Sequence, residues 1–146
     1  MKNFLLLIVF ALSTACVSTP VNEQPVPFTT LARGSYCDVT KPQDHVIQSQ
    51  AELNQIWNKL NLAEQKIPAL DFNQRTVLAI FMGEQSSGGY AIRIDRIVRT
   101  PAEIVVTVRQ TVPPKNTPAS LAQTQPYILV SIPRTDLPIK FDYKTE

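Results

Sequence analysis

The side chains able to do chemistry are few and far apart. His45 is the only histidine in 146 residues, and the two cysteines are Cys16, directly after an N-terminal apolar run, and Cys37. A thiol–imidazole pair of Cys37 and His45 across a turn is conceivable from their spacing. One histidine and one spare cysteine cannot supply the four ligands of a structural zinc site. Ser86-Ser87-Gly88-Gly89 has glycines but lacks the lysine and the following helix of a phosphate loop. Ser131, in Ser131-Ile132-Pro133-Arg134, has no partner base that the sequence identifies. An enzyme needs a positioned acid, base, nucleophile or metal. We therefore expect no catalytic residues, no metal and no cofactor, with a small hydrolase working through carboxylates as the alternative.

What remains is binding, and the stretch that organises the chain offers a surface for it. Val77-Leu78-Ala79-Ile80-Phe81-Met82 is an unbroken apolar run suited to a strand buried on both faces. After a small polar loop, Tyr90, Ile92 and Ile94 alternate with Ala91, Arg93 and Asp95, as in a strand with one wet face. Gly88-Gly89 would supply the positive φ needed for re-entry into the sheet. The candidate binding loop is Gln85, Ser86, Ser87, Gly88, Gly89 and Tyr90. The competing reading gives the glycines to backbone geometry alone and Tyr90 to the core. Residues 111–125, with Pro113-Pro114 and Pro118 and no periodicity, form a second candidate contact surface.

The elements that must position these loops follow from patterning. Ser49 and Glu52 form a capping box in which glutamate returns to the serine amide, and Leu53, Ile56, Trp57 and Leu60 form one apolar stripe. The helix should pack on a sheet with Trp57 in the core rather than stacked on a ligand. Residues 29–36 read as a weak strand interrupted by Gly34, 41–44 as a turn, and Val46-Ile47 as a short extended piece. In the loop 66–75, Phe72 should dip into the core and Asp71 cap the turn. Residues 90–98 and 104–110 should form an antiparallel hairpin, with Ile104, Val106 and Val108 on one face. Pro133 should end a strand over 127–132, and 139–143 alternates as a short edge strand. The expected fold is α+β, mainly β: an antiparallel sheet or sandwich of about six strands with one packed amphipathic helix.

Ahead of this domain, Met1-Lys2-Asn3 is positive, Phe4 to Leu12 is apolar, and Ser13-Thr14-Ala15 are small. That is the pattern of an export signal over residues 1–15, its apolar run short of the ~20 residues of a membrane-spanning helix. Small residues followed by Cys16 resemble the lipobox of bacterial lipoproteins, which implies lipidation of Cys16. Ser13 stands where that pattern prefers a leucine-like residue, so ordinary cleavage after Ala15 stays open. In that case a Cys16–Cys37 disulfide could staple the tail to the domain. Val17 in place of a retention aspartate implies an outer-membrane anchor facing the periplasm, with a secreted or periplasmic protein as the alternative. Residues 16–27 then read as a lipid-anchored flexible tether and 28–146 as one domain. Fourteen Lys and Arg against twelve Asp and Glu leave a formal charge of +2. Arg93, Arg96, Arg99 and Arg109 alternate with apolar positions, as on a solvated sheet face rather than a nucleic-acid footprint.

Three runs carry a family resemblance: Phe81-x-Gly83-Glu84-x-x-x-Gly88-Gly89-Tyr90-x-Ile92; Val106-x-Val108 followed by Pro113; and Pro126-Tyr127-x-x-Val130-x-Ile132-Pro133. Together they resemble the C-terminal domain of the PrcB protease-complex subunits over residues 72–141, with Ser87 in place of the usual threonine. The resemblance implies a cell-envelope accessory protein, often a lipoprotein, with no catalytic residues to carry over. Any shared interaction would involve Gly88, Gly89 and Tyr90. A fainter likeness is to the inhibitory loops of chagasin-type protease inhibitors. The expectation is a non-enzymatic envelope lipoprotein that binds an envelope protein such as a protease, without nucleic acid, accessory to or regulating a protease or other complex. A protease inhibitor and a glycan-binding module are further alternatives. For the last, Tyr36, Tyr90, Tyr127 and Tyr143 are the aromatic candidates, though alternation places most in the core.

Overall fold

The computed structural model describes residues 22–62, 65–115 and 120–146. The export signal, Cys16 and most of the tether lie outside the described residues. Among those described, eight strands and one helix occur in the order β1 (Gln24–Pro25), β2 (Thr29–Gly34), β3 (Gln43–Ile47), α1 (Gln50–Trp57), β4 (Arg75–Phe81), β5 (Ala91–Arg99), β6 (Ile104–Thr111), β7 (Tyr127–Pro133) and β8 (Ile139–Thr145). They form two four-stranded sheets, β2-β7-β4-β3 and β1-β5-β6-β8.

The apolar run of β4 dictates the layering. Its side chains alternate between faces: Val77, Ala79 and Phe81 join a cluster with Leu53, Ile56, Trp57 and Leu60 of the helical region. Leu78, Ile80 and Met82 join a second cluster with Ile92, Ile94, Ile97, Ile104, Val106 and Val108 of the other sheet. β7 does the same, with Tyr127 and Leu129 facing the helix layer and Ile128, Val130 and Ile132 facing the second sheet. The order of layers is thus helix, sheet, sheet. Trp57 is buried on the helix stripe, and Phe72 packs against the same cluster. Asp71 caps its turn by accepting from Asn73 N–H at 3.0 Å.

The mainly-β reading and the 90–98/104–110 hairpin hold, and the differences have physical causes. The strands number eight rather than six because β1 is short and β3 extends back into residues read as a turn; Gln43 and Asp44 pair with Phe81 and Ile80. β1 pairs Gln24 and Pro25 with Arg99 and Val98, so order reaches into the stretch read as tether. The sheets are not purely antiparallel. β8 runs parallel to β6, because the chain visits β7 in the other sheet between them. Glu52 does accept a capping hydrogen bond, but from Gln48 N–H at 2.9 Å rather than from Ser49; Ser49 Oγ accepts from Glu52 N–H at 3.3 Å as expected. Gly34 does not interrupt β2; it is the last residue of that strand, where a Cβ would lie 2.8 Å from the Tyr127 hydroxyl. Cys37 is a free, buried thiol.

The arginines lie on a wet sheet face, and their arrangement is electrostatic. Arg93 and Arg109 stand directly opposite each other on β5 and β6, a like-charge pair that would destabilise the hairpin alone. Two acids intervene. Asp95, at the β5 register shift, accepts from Arg93 Nε at 3.1 Å and Arg109 Nε at 2.6 Å. Glu146 is held by both Arg93 terminal nitrogens and by Thr111 Oγ1 at 3.1 Å. The hydrogen bonds from Arg109 to Asp95, and from Arg93 to Glu146, hold both carboxyls below their ordinary range. A carboxylate with a lowered folded-state pKa contributes stability that is present above its unfolded value of about 4 and is lost as pH falls through the folded value. The native chain should therefore exceed an Asp95→Asn, Glu146→Gln variant in urea midpoint at pH 7. The gap should close in acid and shrink with added salt, since the pairs are exposed. A pH-independent gap would contradict this account.

Candidate functional site

Both loops singled out from the sequence cross between the two sheets, and they cross at the same end. Residues 82–90 carry the chain from β4 to β5, and residues 112–126 bring it back from β6 to β7. Their backbones are hydrogen-bonded to each other. Gln85 N–H donates to Thr124 O at 2.7 Å, and Thr124 N–H returns to Gln85 O at 3.1 Å. Gly88 N–H donates to Ser120 O at 2.9 Å, and Thr124 Oγ1 donates to Ser87 O at 2.9 Å. A third segment joins them: Glu84 N–H donates to Thr40 O at 2.9 Å and Gln125 N–H to Ser35 O at 2.7 Å. The two candidate surfaces are therefore one rim.

The glycines divide differently from expectation. Gly89 has φ +89 and lies where a Cβ would meet Pro113 at 3.0 Å, so it needs both the conformation and the space. Gly88 is not among the positive-φ residues, and a Cβ there would lie 3.2 Å from Ser120 Cβ. The second positive-φ glycine is Gly83, at φ +77, where a Cβ would come within 2.7 Å of the Pro42 ring.

Inside the rim is an open cleft of about 530 Å³ between the edge strands β3 and β8. Met82, Tyr90, Val112 and Pro42 give it apolar surface, Gln43 borders it from β3, and Gln85 and Gln110 give it side-chain amides. Asp44 and Tyr143 also line it, one from each edge strand, and the Tyr143 hydroxyl donates to Asp44 Oδ1 at 2.5 Å. Burial raises the pKa of Asp44, opposed by the Tyr143 hydrogen bond and by the charge of His45. Burial, and then the hydrogen bond to Asp44, raise the Tyr143 phenol above its ordinary value, so it stays protonated at physiological pH.

Of the residues singled out, Gln85 and Tyr90 line the cleft, Ser87, Gly88 and Gly89 build its rim, and Ser86 is exposed. Cys37 and His45 do not form a dyad. Cys37 Sγ donates to Gln125 O at 3.4 Å, and burial raises its pKa away from the nucleophilic thiolate. His45 bonds Gln43 Oε1 at 3.1 Å and sets its ring edge-on to Phe81. Missed by the sequence were Asp44, read as part of a turn, and its pairing with Tyr143, which the sequence offers only as an aromatic candidate for glycan binding and which lies 99 positions away. Among the lining residues Asp44 is the one carboxylate, whereas glycoside hydrolysis by the general route uses two. Amides, phenols and apolar surface around one carboxylate suit binding.

The rim should depend on Gly83 more than on Gly88. Gly83→Ala forces a left-handed conformation against the Pro42 ring and should cost about 1–3 kcal/mol in urea unfolding. Gly88→Ala asks Ser120 to move by tenths of an ångström and should cost less than about 1 kcal/mol. Equal losses would contradict the division of roles.

No curated protein and no solved structure matches this chain. A family model does, and it spans β4 from Thr76, both crossings of the rim, the β5–β6 hairpin and β7. The segment 76–133 matches the family described as PrcB C-terminal.

Proposed function

We propose that this chain is a non-enzymatic binding module of the bacterial cell envelope, accessory to a protease or another protein complex, and that it engages its partner through the rim and the cleft it encloses. The observation that carries the reading is the double crossing: two loops from the segment that matches PrcB C-terminal are fastened into one surface around an open, mixed-polarity cleft. The family's name supports association with a protease complex. Lipidation at Cys16 and an outer-membrane anchor facing the periplasm belong to the same proposal, and rest on the leader pattern Ser13-Thr14-Ala15-Cys16. A glycan-binding reading of the cleft has one observation in its favour, namely that Tyr90 and Tyr143 both line it.

The test is crosslinking in cells that express the protein, followed by purification of the tagged chain beside a Gln85→Arg, Val112→Arg variant whose fold is verified by circular dichroism. The expected result is an envelope protein captured by the native chain and lost with the variant. Equal capture by both would remove the cleft from the interaction. Intact mass of the mature native chain settles the anchor: a diacylated Cys16 is expected, and an unmodified cysteine contradicts it.

A further inference from the structure

The four edge strands of the two sheets are not equally protected. Unpaired edges invite a further strand, and proteins blunt them with short strands, proline, bulges or outward charges. β1 is two residues long and contains Pro25. β2 has a register shift between Thr30 and Ala32, and Arg33 is exposed. β8 carries exposed Lys140 and Lys144. β3 carries only the inward charge of Asp44. Its register with β4 runs unbroken from Gln43↔Phe81 to Ile47↔Val77, and it contains no proline, lysine or arginine. Among the described residues, no hydrogen bond reaches the backbone of Gln43–Ile47 from its outer side.

β3 also borders the cleft, through Gln43 and Asp44. Asp44 and Val46 share one face by strand alternation, opposite Ile80 and Leu78, which face the second sheet. Val46 is 43% exposed, a large apolar side chain left in solvent within the strand. Asp44 is the one charged side chain lining the cleft, and among the described residues no cation forms an ion pair with it. The hydrogen-bond partner of this half-buried carboxylate is a neutral phenol, and an opposite charge brought within about 4–6 Å favours its ionised form.

We infer that β3 is a strand-addition edge, which accepts an extended peptide carrying a lysine or arginine opposite Asp44 and an apolar residue opposite Val46, two positions away. Cross-strand partners on one face have Cβ atoms about 4.5–5.5 Å apart, which sets the cation against the carboxylate and covers Val46. The added backbone satisfies the outer donors and acceptors of β3, and its alternate side chains enter the cleft, where Gln85 and Gln110 can bond them. This rests on the binding-module reading and specifies the partner as an extended segment with a basic and an apolar residue two positions apart, the apolar one first when the added strand runs antiparallel to β3.

The probe is a positional-scanning library of capped nine-residue peptides, with lysine, arginine or glutamate at one fixed position, valine or leucine two positions before or after it, and mixtures elsewhere. It is applied to the purified mature chain. Basic–apolar mixtures should bind severalfold tighter than glutamate–apolar ones, and Asp44→Asn should abolish that preference. Methylating alternate backbone nitrogens of the best peptide should cost about tenfold or more on one of the two alternate sets. Amide exchange at Gln43–Ile47 should slow on binding, with β5 and β8 unchanged, and Val46→Lys should weaken binding. If Val46→Lys fails to fold, the methylation and exchange arms still decide. Absence of binding by every mixture, indifference to backbone methylation, or protection elsewhere overturns strand addition. A cellular partner captured equally by the native chain and a folded Val46→Lys variant overturns it while leaving the binding module intact.

Discussion

The structure depends on the need to cover both faces of β4. Val77, Leu78, Ala79, Ile80 and Phe81 are all within 2% of complete burial, and no single layer can bury side chains that point in opposite directions. One face demands the helix layer and the other demands a second sheet. Truncating a core residue such as Phe81 would cost about 3–5 kcal/mol, a large share of the stability of a domain this size. β7, hydrogen-bonded beside β4, has the same two-sided character, so the pair forms a spine and the remaining elements cover it.

The site is a consequence of that layering. A chain that leaves the spine for the second sheet must cross the gap between layers, and a chain that returns must cross it again. Here both crossings fall at the end of the sheets where β4 stops and β7 starts, which brings residues 82–90 and 112–126 within hydrogen-bonding distance. Gly83 and Gly89 permit the two tight approaches, to Pro42 and Pro113. The rim stands over the edges β3 and β8, where Asp44 and Tyr143 meet across the open side of the two layers. Fold and cleft thus share one cause, and the segment that matches PrcB C-terminal contains the spine and both crossings.

Much of the fold could be read from local pattern, because local pattern is what encodes layers. The continuous apolar run of β4, the alternation of Ile104, Val106 and Val108, and the stripe of Leu53, Ile56, Trp57 and Leu60 each specify a face to bury, and each is buried. What escaped was non-local. The parallel pairing of β8 with β6 depends on the detour through β7, which no window of sequence contains. Within β3, Val46-Ile47 reads as extended but Gln43 and Asp44 read as a turn, because Pro42 and Asp44 are turn residues by propensity, and pairing with β4 overrides that preference. The candidate loop was legible from its glycines and its interruption of strand pattern. Gly83 looked ordinary, since its need for glycine comes from Pro42, 41 positions away in sequence and 2.7 Å away in space. The Asp44–Tyr143 contact joins two edge strands, and periodicity says nothing about which edges adjoin.

The central claim is that the two crossings form one fastened rim rather than two independent loops. Backbone amide exchange on the purified chain measures this directly, because Gln85, Gly88 and Thr124 donate their N–H groups across the gap to Thr124, Ser120 and Gln85. The account predicts that these three amides exchange together and slowly, close to the rates of β5 and β6, while the exposed neighbours Ser86 and Leu121 exchange fast. Exchange of Gln85, Gly88 and Thr124 at the rates of an open chain would contradict it, and the cleft would lose the wall on which the proposed function stands.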